Sequence, residues 1–117
     1  MYGIEEEDFT KRAEAIRDAM DISAVVIHPI AGAAYANREG SDWINGPYTK
    51  TPKLTTGAGD NFNSGFCNAW LAGLSGEESI AVGVCTSGFY VRECHSPSRK
   101  ELLDFMARWS AVECGDI

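Results

Sequence analysis

Ala24-Val25-Val26-Ile27-His28 is a continuous apolar run, rich in β-branched residues and stopped by Pro29. Such a run is apolar on both faces, as a buried strand of a parallel sheet must be. It follows a segment, Glu5 to Met20, in which Phe9, Ala13, Ile16 and Met20 fall on one helical face. A helix feeding a buried strand is half of a βαβ unit, so an α/β fold is expected. With 117 residues and 44% hydrophobic content the chain can bury the core of one domain but not of two. One unit over residues 1–117 is expected.

Downstream, Tyr35-Ala36-Asn37 and Trp43-Ile44-Asn45 flank the turn-like Arg38-Glu39-Gly40-Ser41-Asp42 and predict a β-hairpin. The segment from Gly46 to Pro52, with two prolines, reads as an extended connector. From Asp60 the pattern is helical, with Phe62, Phe66, Ala69 and Trp70 on one face and Gly73 as the stop. Ser75-Gly76-Glu77-Glu78 and Ser98-Arg99-Lys100-Glu101 match capping boxes. They open a small-residue helix through Ile80 to Val91 and a last helix carrying Leu102, Leu103, Phe105, Met106 and Trp109.

Charge narrows the function classes. Ten Lys and Arg against 17 Asp and Glu leave a net charge of −7, which offers no field to collect nucleic acid or an anionic membrane surface. A phosphate ligand would have to be held by locally aimed N–H groups or by a metal. The acidic start Glu5-Glu6-Glu7-Asp8 reads as a solvated helix beginning that favours the positive end of the macrodipole. Cys67, Cys85, Cys94 and Cys114 form no C-x-x-C pair, so free thiols are expected, with Cys67 and Cys85 buried and Cys114 open to oxidation. No signal-peptide pattern or membrane-length apolar run is present, and a cytoplasmic protein is expected.

The chemistry-bearing stretch is Thr55-Thr56-Gly57-Ala58-Gly59-Asp60-Asn61-Phe62, a Gly-rich turn that runs directly into a helix. Glycines permit positive φ and close backbone approach, so successive N–H groups can converge on one anion at a positive helix end. Asp60, just past those donors, is placed to take a proton from a hydroxyl attacking a bound phosphoryl group. On these residues alone, a tight turn with Asp60 as an N-cap is the favoured reading. His28 and His95 read as structural or exposed, and at least two of Trp43, Trp70 and Trp109 as core. Arg92 and Lys53 read as solvated cations near helix ends.

The stretch resembles the C-terminal signature of the ribokinase-like carbohydrate kinases of the phosphofructokinase-B type, Asp-Thr-x-Gly-Ala-Gly-Asp-x-Phe-x-x-Gly. The matching residues are Thr55, Gly57, Ala58, Gly59, Asp60, Phe62 and Gly65, with Thr56 at the variable position. The resemblance implies the C-terminal part of a ribokinase-like, Rossmann-type three-layer fold. It implies a sugar kinase in which Asp60 is the catalytic base and Gly57, Ala58 and Gly59 are the anion hole. The helix at Ile80 to Val91 would lie beside the nucleotide, ATP and Mg²⁺ would be the cofactors, and a sugar the acceptor, with no metal ligand assigned to this chain.

Two departures bear on this. Leu54 stands where the signature has its first Asp, and Pro29-Ile30-Ala31-Gly32 stands where the family has a Thr-x-Gly turn after the strand. Family members are much longer chains, so the sequence reads as the nucleotide-side portion of such a kinase. A non-catalytic phosphate- or nucleotide-binding module and a structural remnant are the other readings. An apolar strand edge without charged residues further predicts a homo-oligomer.

Overall fold

The computed structural model describes residues 6–110, with side chains from Asp8 onward. The stretch Met1 to Glu5 and Cys114 lie outside the described residues. The elements run α1 (Glu6–Met20), β1 (Ala24–Ile27), β2 (Gly32–Asn37), β3 (Gly40–Asn45), α2 (Ala58–Leu71), α3 (Gly76–Glu93) and α4 (Arg99–Ser110). The expected α/β class holds, in three layers. Helix α1 packs on one face of the sheet, α3 on the other, and α2 and α4 pack on α3.

Strand alternation builds those layers. Val25, Ile27, Ala34, Ala36 and Trp43 pack with Phe9 and Ala13 of α1. Ala24, Val26, Ala33, Tyr35 and Ile44 pack with Phe62, Phe66, Ile80, Val84 and Phe89 on the opposite side. Each strand therefore sends alternate residues to two apolar layers, which is why the Ala24–Ile27 run reads as continuously apolar.

The parallel strand predicted for that run is corrected. β1 pairs antiparallel with β2, matching Ala24 with Asn37 and Ile27 with Ala34, and β2 pairs antiparallel with β3. Chain length is the reason: only His28 to Ala31 separate β1 from β2, whereas a parallel crossover needs a dozen or more residues. The turn closes with Gly32 N–H donating to the Pro29 carbonyl at 3.4 Å. The hairpin is also longer than predicted, since Gly40 to Asp42 are strand. Its two-residue turn is held by Asn37 Oδ1, which accepts from the N–H groups of Glu39 (2.8 Å) and Gly40 (3.1 Å).

Both capping boxes form. Ser75 accepts from Glu78 N–H at 3.0 Å and Glu78 Oε1 accepts from Ser75 N–H at 2.9 Å. Ser98 and Glu101 repeat the exchange at 3.1 and 2.8 Å. Removal of such a cap costs about 1 kcal/mol. Helix α2 ends at Gly73 in a Schellman motif, with Leu74 N–H bonding to Ala69 and Gly73 N–H to Trp70, both at 3.1 Å.

Helix α3 is buried over most of its length, as its small residues predict. Two of its contacts with α2 leave no room for a side chain. A Cβ at Gly65 would lie 2.9 Å from Thr86 Cβ and 3.0 Å from the Val82 carbonyl oxygen. A Cβ at Gly83 would lie 2.6 Å from the Phe62 ring. Signature residues Phe62 and Gly65 thus set the α2–α3 approach.

Two side-chain expectations are corrected. Cys67 is exposed, because α2 buries Phe62, Gly65, Phe66 and Ala69 and the residue after Phe66 points away from that face; Cys85 is buried as predicted. Ile16 and Met20 are 37% and 63% exposed, since the alanine-lined sheet face meets α1 at Phe9 and Ala13. The expectation of two core tryptophans holds: Trp43 and Trp109 pack against the core clusters, while Trp70 is exposed.

Gly65→Ala tests the helix contact. Alanine should gain up to about 1 kcal/mol of helix propensity, but the clash falls on a β-branched residue whose hydroxyl is tied to Val82 O at 2.7 Å. Overpacking of this kind costs about 1–3 kcal/mol, so urea denaturation should report a net loss. Thr86→Ala in the same chain should restore part of it.

Candidate functional site

Helix α2 begins two residues before its predicted start, at Ala58, and its N-cap is Gly57 with φ 96° and ψ −2°. Asp60 is therefore the third helical residue and makes no side-chain cap bond, so the N-cap alternative does not describe it. Ala58 N–H donates to the Thr55 carbonyl at 3.1 Å, closing a β-turn with Thr56 and Gly57 at its centre. Thr56 is absent from the residues with positive φ, so the dihedrals of Gly57 make the turn type II. The N–H groups of Gly59 and Asp60 find no backbone acceptor among the described residues. They are the free donors that a helix start leaves, and they carry the positive end of the α2 dipole.

Several contacts hold this turn against α3. Tyr90 donates its hydroxyl to the Thr56 carbonyl at 2.7 Å. The Gly57 carbonyl accepts from Asn61 N–H at 3.0 Å and from Asn61 Nδ2 at 2.9 Å. Asn61 Oδ1 in turn accepts from Ser96 Oγ at 2.8 Å. Upstream, the N–H groups of Lys53 and Leu54 donate to the Val91 carbonyl at 2.7 and 3.3 Å. Leu54, standing in place of the signature Asp, is thus tied down through its backbone.

A cavity of about 540 Å³ opens beside the turn. Thr55, Ala58 and Gly59 form one wall, and Val84, Ser87, Gly88 and Val91 of α3 form another. The spacing of those four residues puts them on one helical face. The strand end His28-Pro29-Ile30 and the connector Gly46–Pro52, including Tyr48 and Lys50, complete the lining. Asp60 is exposed, and no hydrogen bond or ion pair engages its carboxylate among the described residues.

Of the residues singled out from sequence, Thr55, Ala58 and Gly59 line the cavity, while Gly57 and Asp60 belong to the same turn and first helical turn without lining it. Thr56 contributes its carbonyl to the Tyr90 bond, and Phe62 and Gly65 lie behind in the helix packing. Sequence reading missed Tyr90, Asn61, Ser96 and Lys50. Asn61 could have been found, since it follows Asp60 in the first helical turn, but nothing local marks Tyr90. Arg92 is structural: it donates to the carbonyls of Gly88 (2.9 Å) and Tyr48 (3.3 Å) and lies over the Phe105 ring. Lys53 is exposed, and so is His95, which meets Phe89 edge-on at 5.3 Å.

His28 is more than a solvent-facing strand end. Its ring stacks on Phe62 with centroids 4.0 Å apart, and burial lowers its pKa. Burial also pushes the Cys85 thiol up to about 12, which keeps it protonated and inert.

The three-layer fold, with its Gly-rich turn heading a helix beside a cavity, is shared with solved structures of the ribokinase family. The chain belongs to the prokaryotic ketohexokinase family, whose profile matches residues 1–109. It is 34% identical over 105 residues to a ketohexokinase of Haloferax volcanii, covering 90% of this chain and 28% of that protein. The chain thus spans under a third of the length of this relative. Phosphofructokinase-2 from Escherichia coli superimposes with a TM-score of 0.75 at 22% identity, over 92% of this chain and 35% of that one. A nucleoside kinase of Methanocaldococcus jannaschii gives a TM-score of 0.66 at 19% identity, over 90% of this chain and 34% of the other. These structures share the fold.

Because the folded His28 pKa lies below its unfolded value near 6.5, the unfolded chain binds the extra proton first as pH falls. The neutral ring costs nothing above that pH, and stability is lost as pH drops through and below it. His28→Phe, which keeps the stack on Phe62, should reduce the difference in urea midpoint between pH 7.5 and 5.5, each pH being about one unit from the ordinary histidine pKa.

Proposed function

We propose that this chain forms the nucleotide side of a ketohexokinase-type sugar kinase, which transfers a phosphoryl group from ATP to a hydroxyl of a ketose. The observation that carries this is the type II turn at Gly57, which heads α2 with unengaged N–H donors beside the 540 Å³ cavity. That volume is within the range of about 300–1,000 Å³ of small-molecule sites, and the apolar face of α3 suits a planar base. In a chain of net charge −7, the locally aimed donors are what would hold a phosphate.

In this reading the Gly57, Gly59 and Asp60 amides stabilise charge on the transferred group, and the unengaged Asp60 carboxylate takes the proton of the attacking hydroxyl. Ala58 serves through its place in the turn, since its N–H is already bonded. Lys50, on the opposite wall, adds a positive charge. No group of three or more His, Cys, Asp and Glu able to hold a metal occurs among the described residues. Magnesium would arrive with the phosphates of ATP. No helix among the described residues is long and apolar enough to cross a membrane.

The reading is tested in a chimaera that joins this segment to the remainder of the Haloferax volcanii ketohexokinase. Asp60→Asn should lower ATP-dependent ketose phosphorylation at least about 100-fold while leaving the fold and ADP binding intact. A variant that keeps more than about a tenth of the activity would contradict a general-base role. The 117-residue chain alone should bind ADP and phosphorylate no ketose.

The outer edge of β1 supports a proposal about assembly. No strand pairs with it among the described residues, and Ala24 to Ile27 carry no charge to blunt it. The chain should self-associate through that edge when studied alone. Light scattering at micromolar concentration should give a mass above 12.7 kDa that grows with concentration; a sharp, concentration-independent monomer would refute this.

A further inference from the structure

We propose that Tyr90 is a positioning residue for the phosphate cradle, selecting the one of two turn conformations that presents the Gly57 N–H to an anion. The inference rests on the reading of the Gly57 turn as that cradle. Types I and II differ by a rotation of roughly 180° of the central peptide, here Thr56–Gly57. Glycine at the third position tolerates both, so the local sequence does not decide between them.

The tertiary structure does decide. Described peptide bonds are trans, so the Thr56 carbonyl and the Gly57 N–H point in opposite directions. Tyr90 Oη holds that carbonyl at 2.7 Å, turning the Gly57 N–H away from α3. The same hydroxyl lies against the Gly57 backbone, where a Cβ would meet Oη at 2.7 Å and Cζ at 3.2 Å. Residue 57 is thus confined to glycine both by its φ of 96° and by the Tyr90 ring. The next peptide is fixed independently, through the Gly57 carbonyl and Asn61. One plane remains free to flip, and Tyr90 is the side chain that holds it. In the flipped state the Thr56 carbonyl would take the place of the Gly57 N–H and present a partial negative charge to the phosphate.

The test is ADP titration of the ¹⁵N-labelled 117-residue chain and its Tyr90→Phe variant, which keeps the ring and loses the donor. In the wild-type chain the Gly57 and Gly59 amides should both shift with ADP. The Thr56 Hα to Gly57 H^N NOE should be strong, since only type II brings those protons together. In Tyr90→Phe that NOE should weaken and ADP should bind about tenfold more weakly. The Gly59 response should persist while that of Gly57 is lost, a split that general loosening of the fold would not give. Unchanged NOE and affinity in Tyr90→Phe would overturn the proposal while leaving the kinase reading in place. A wild-type chain in which neither glycine responds to ADP would overturn both. If Tyr90→Phe does not fold, Tyr90→Leu takes its place, and a weak Thr56–Gly57 NOE in the ADP-bound wild-type chain overturns the proposal by itself.

Discussion

The close approach of α2 and α3 is the contact on which the rest of the molecule depends. Gly65 meets Thr86, and Gly83 lies beneath the Phe62 ring, so the two backbones come together with side-chain volume supplied from one side at each point. Phe62 then reaches beyond the helix pair. It stacks on His28 at the end of β1 and on Phe66 further along α2, at 4.0 and 6.2 Å between centroids. One side chain therefore links the head of α2, the small-residue face of α3 and the strand end that walls the cavity. Moving the helices apart would shift all three together, because a packed interior transmits displacement and does not absorb it.

The same helix pair sets the electrostatics of the site. Chain-wide charge is negative, so anything anionic must be drawn by fixed dipoles at short range. The start of α2 supplies them because the turn before it leaves donors unengaged, and α3 keeps the turn in shape through Tyr90 and the Val91 carbonyl. The Asn61 and Ser96 bonds add a brace from the loop after α3. Donors held in place before a ligand arrives need little reorganisation during a reaction, which is where preorganised dipoles are most effective. Asp60, exposed and with no partner for its carboxylate among the described residues, stands in the same helical turn.

Much of this was legible in the chain itself. The Gly57-Ala58-Gly59-Asp60 turn, both capping boxes, the buried small-residue helix and the α/β class each rest on local chemistry: permitted φ, side-chain to backbone bonds, and periodicity. Where sequence reading went astray, the deciding quantity was not local. Cys67 sits in an apolar stretch, yet the side of α2 that faces α3 is fixed by Gly65, and Cys67 falls on the other side. His28 had been read as structural or exposed, and it is the position of Phe62 that makes it structural. The run at Ala24 to Ile27 looked the same whether its partner was parallel or antiparallel, and the brevity of the His28–Ala31 link settled the pairing.

The sequence by itself determined most of the helix and strand segments, where α3 and α4 begin, and that a Gly-rich turn heads a helix. It also pointed to the family, because the signature residues Thr55, Gly57 to Asp60, Phe62 and Gly65 fall at the right spacing in one short window. Only the tertiary structure decided the cavity and the orientation of the turn. The cavity is walled by His28, Lys50, Gly59 and Ser87, residues far apart in the chain that meet because three layers pack. The turn is held by Tyr90, 34 positions from Thr56, and nothing around residue 90 foretells that contact. Propensity and periodicity act over a few residues, whereas the direction of a single N–H is fixed by whichever side chain the packing brings to the opposite end of its peptide.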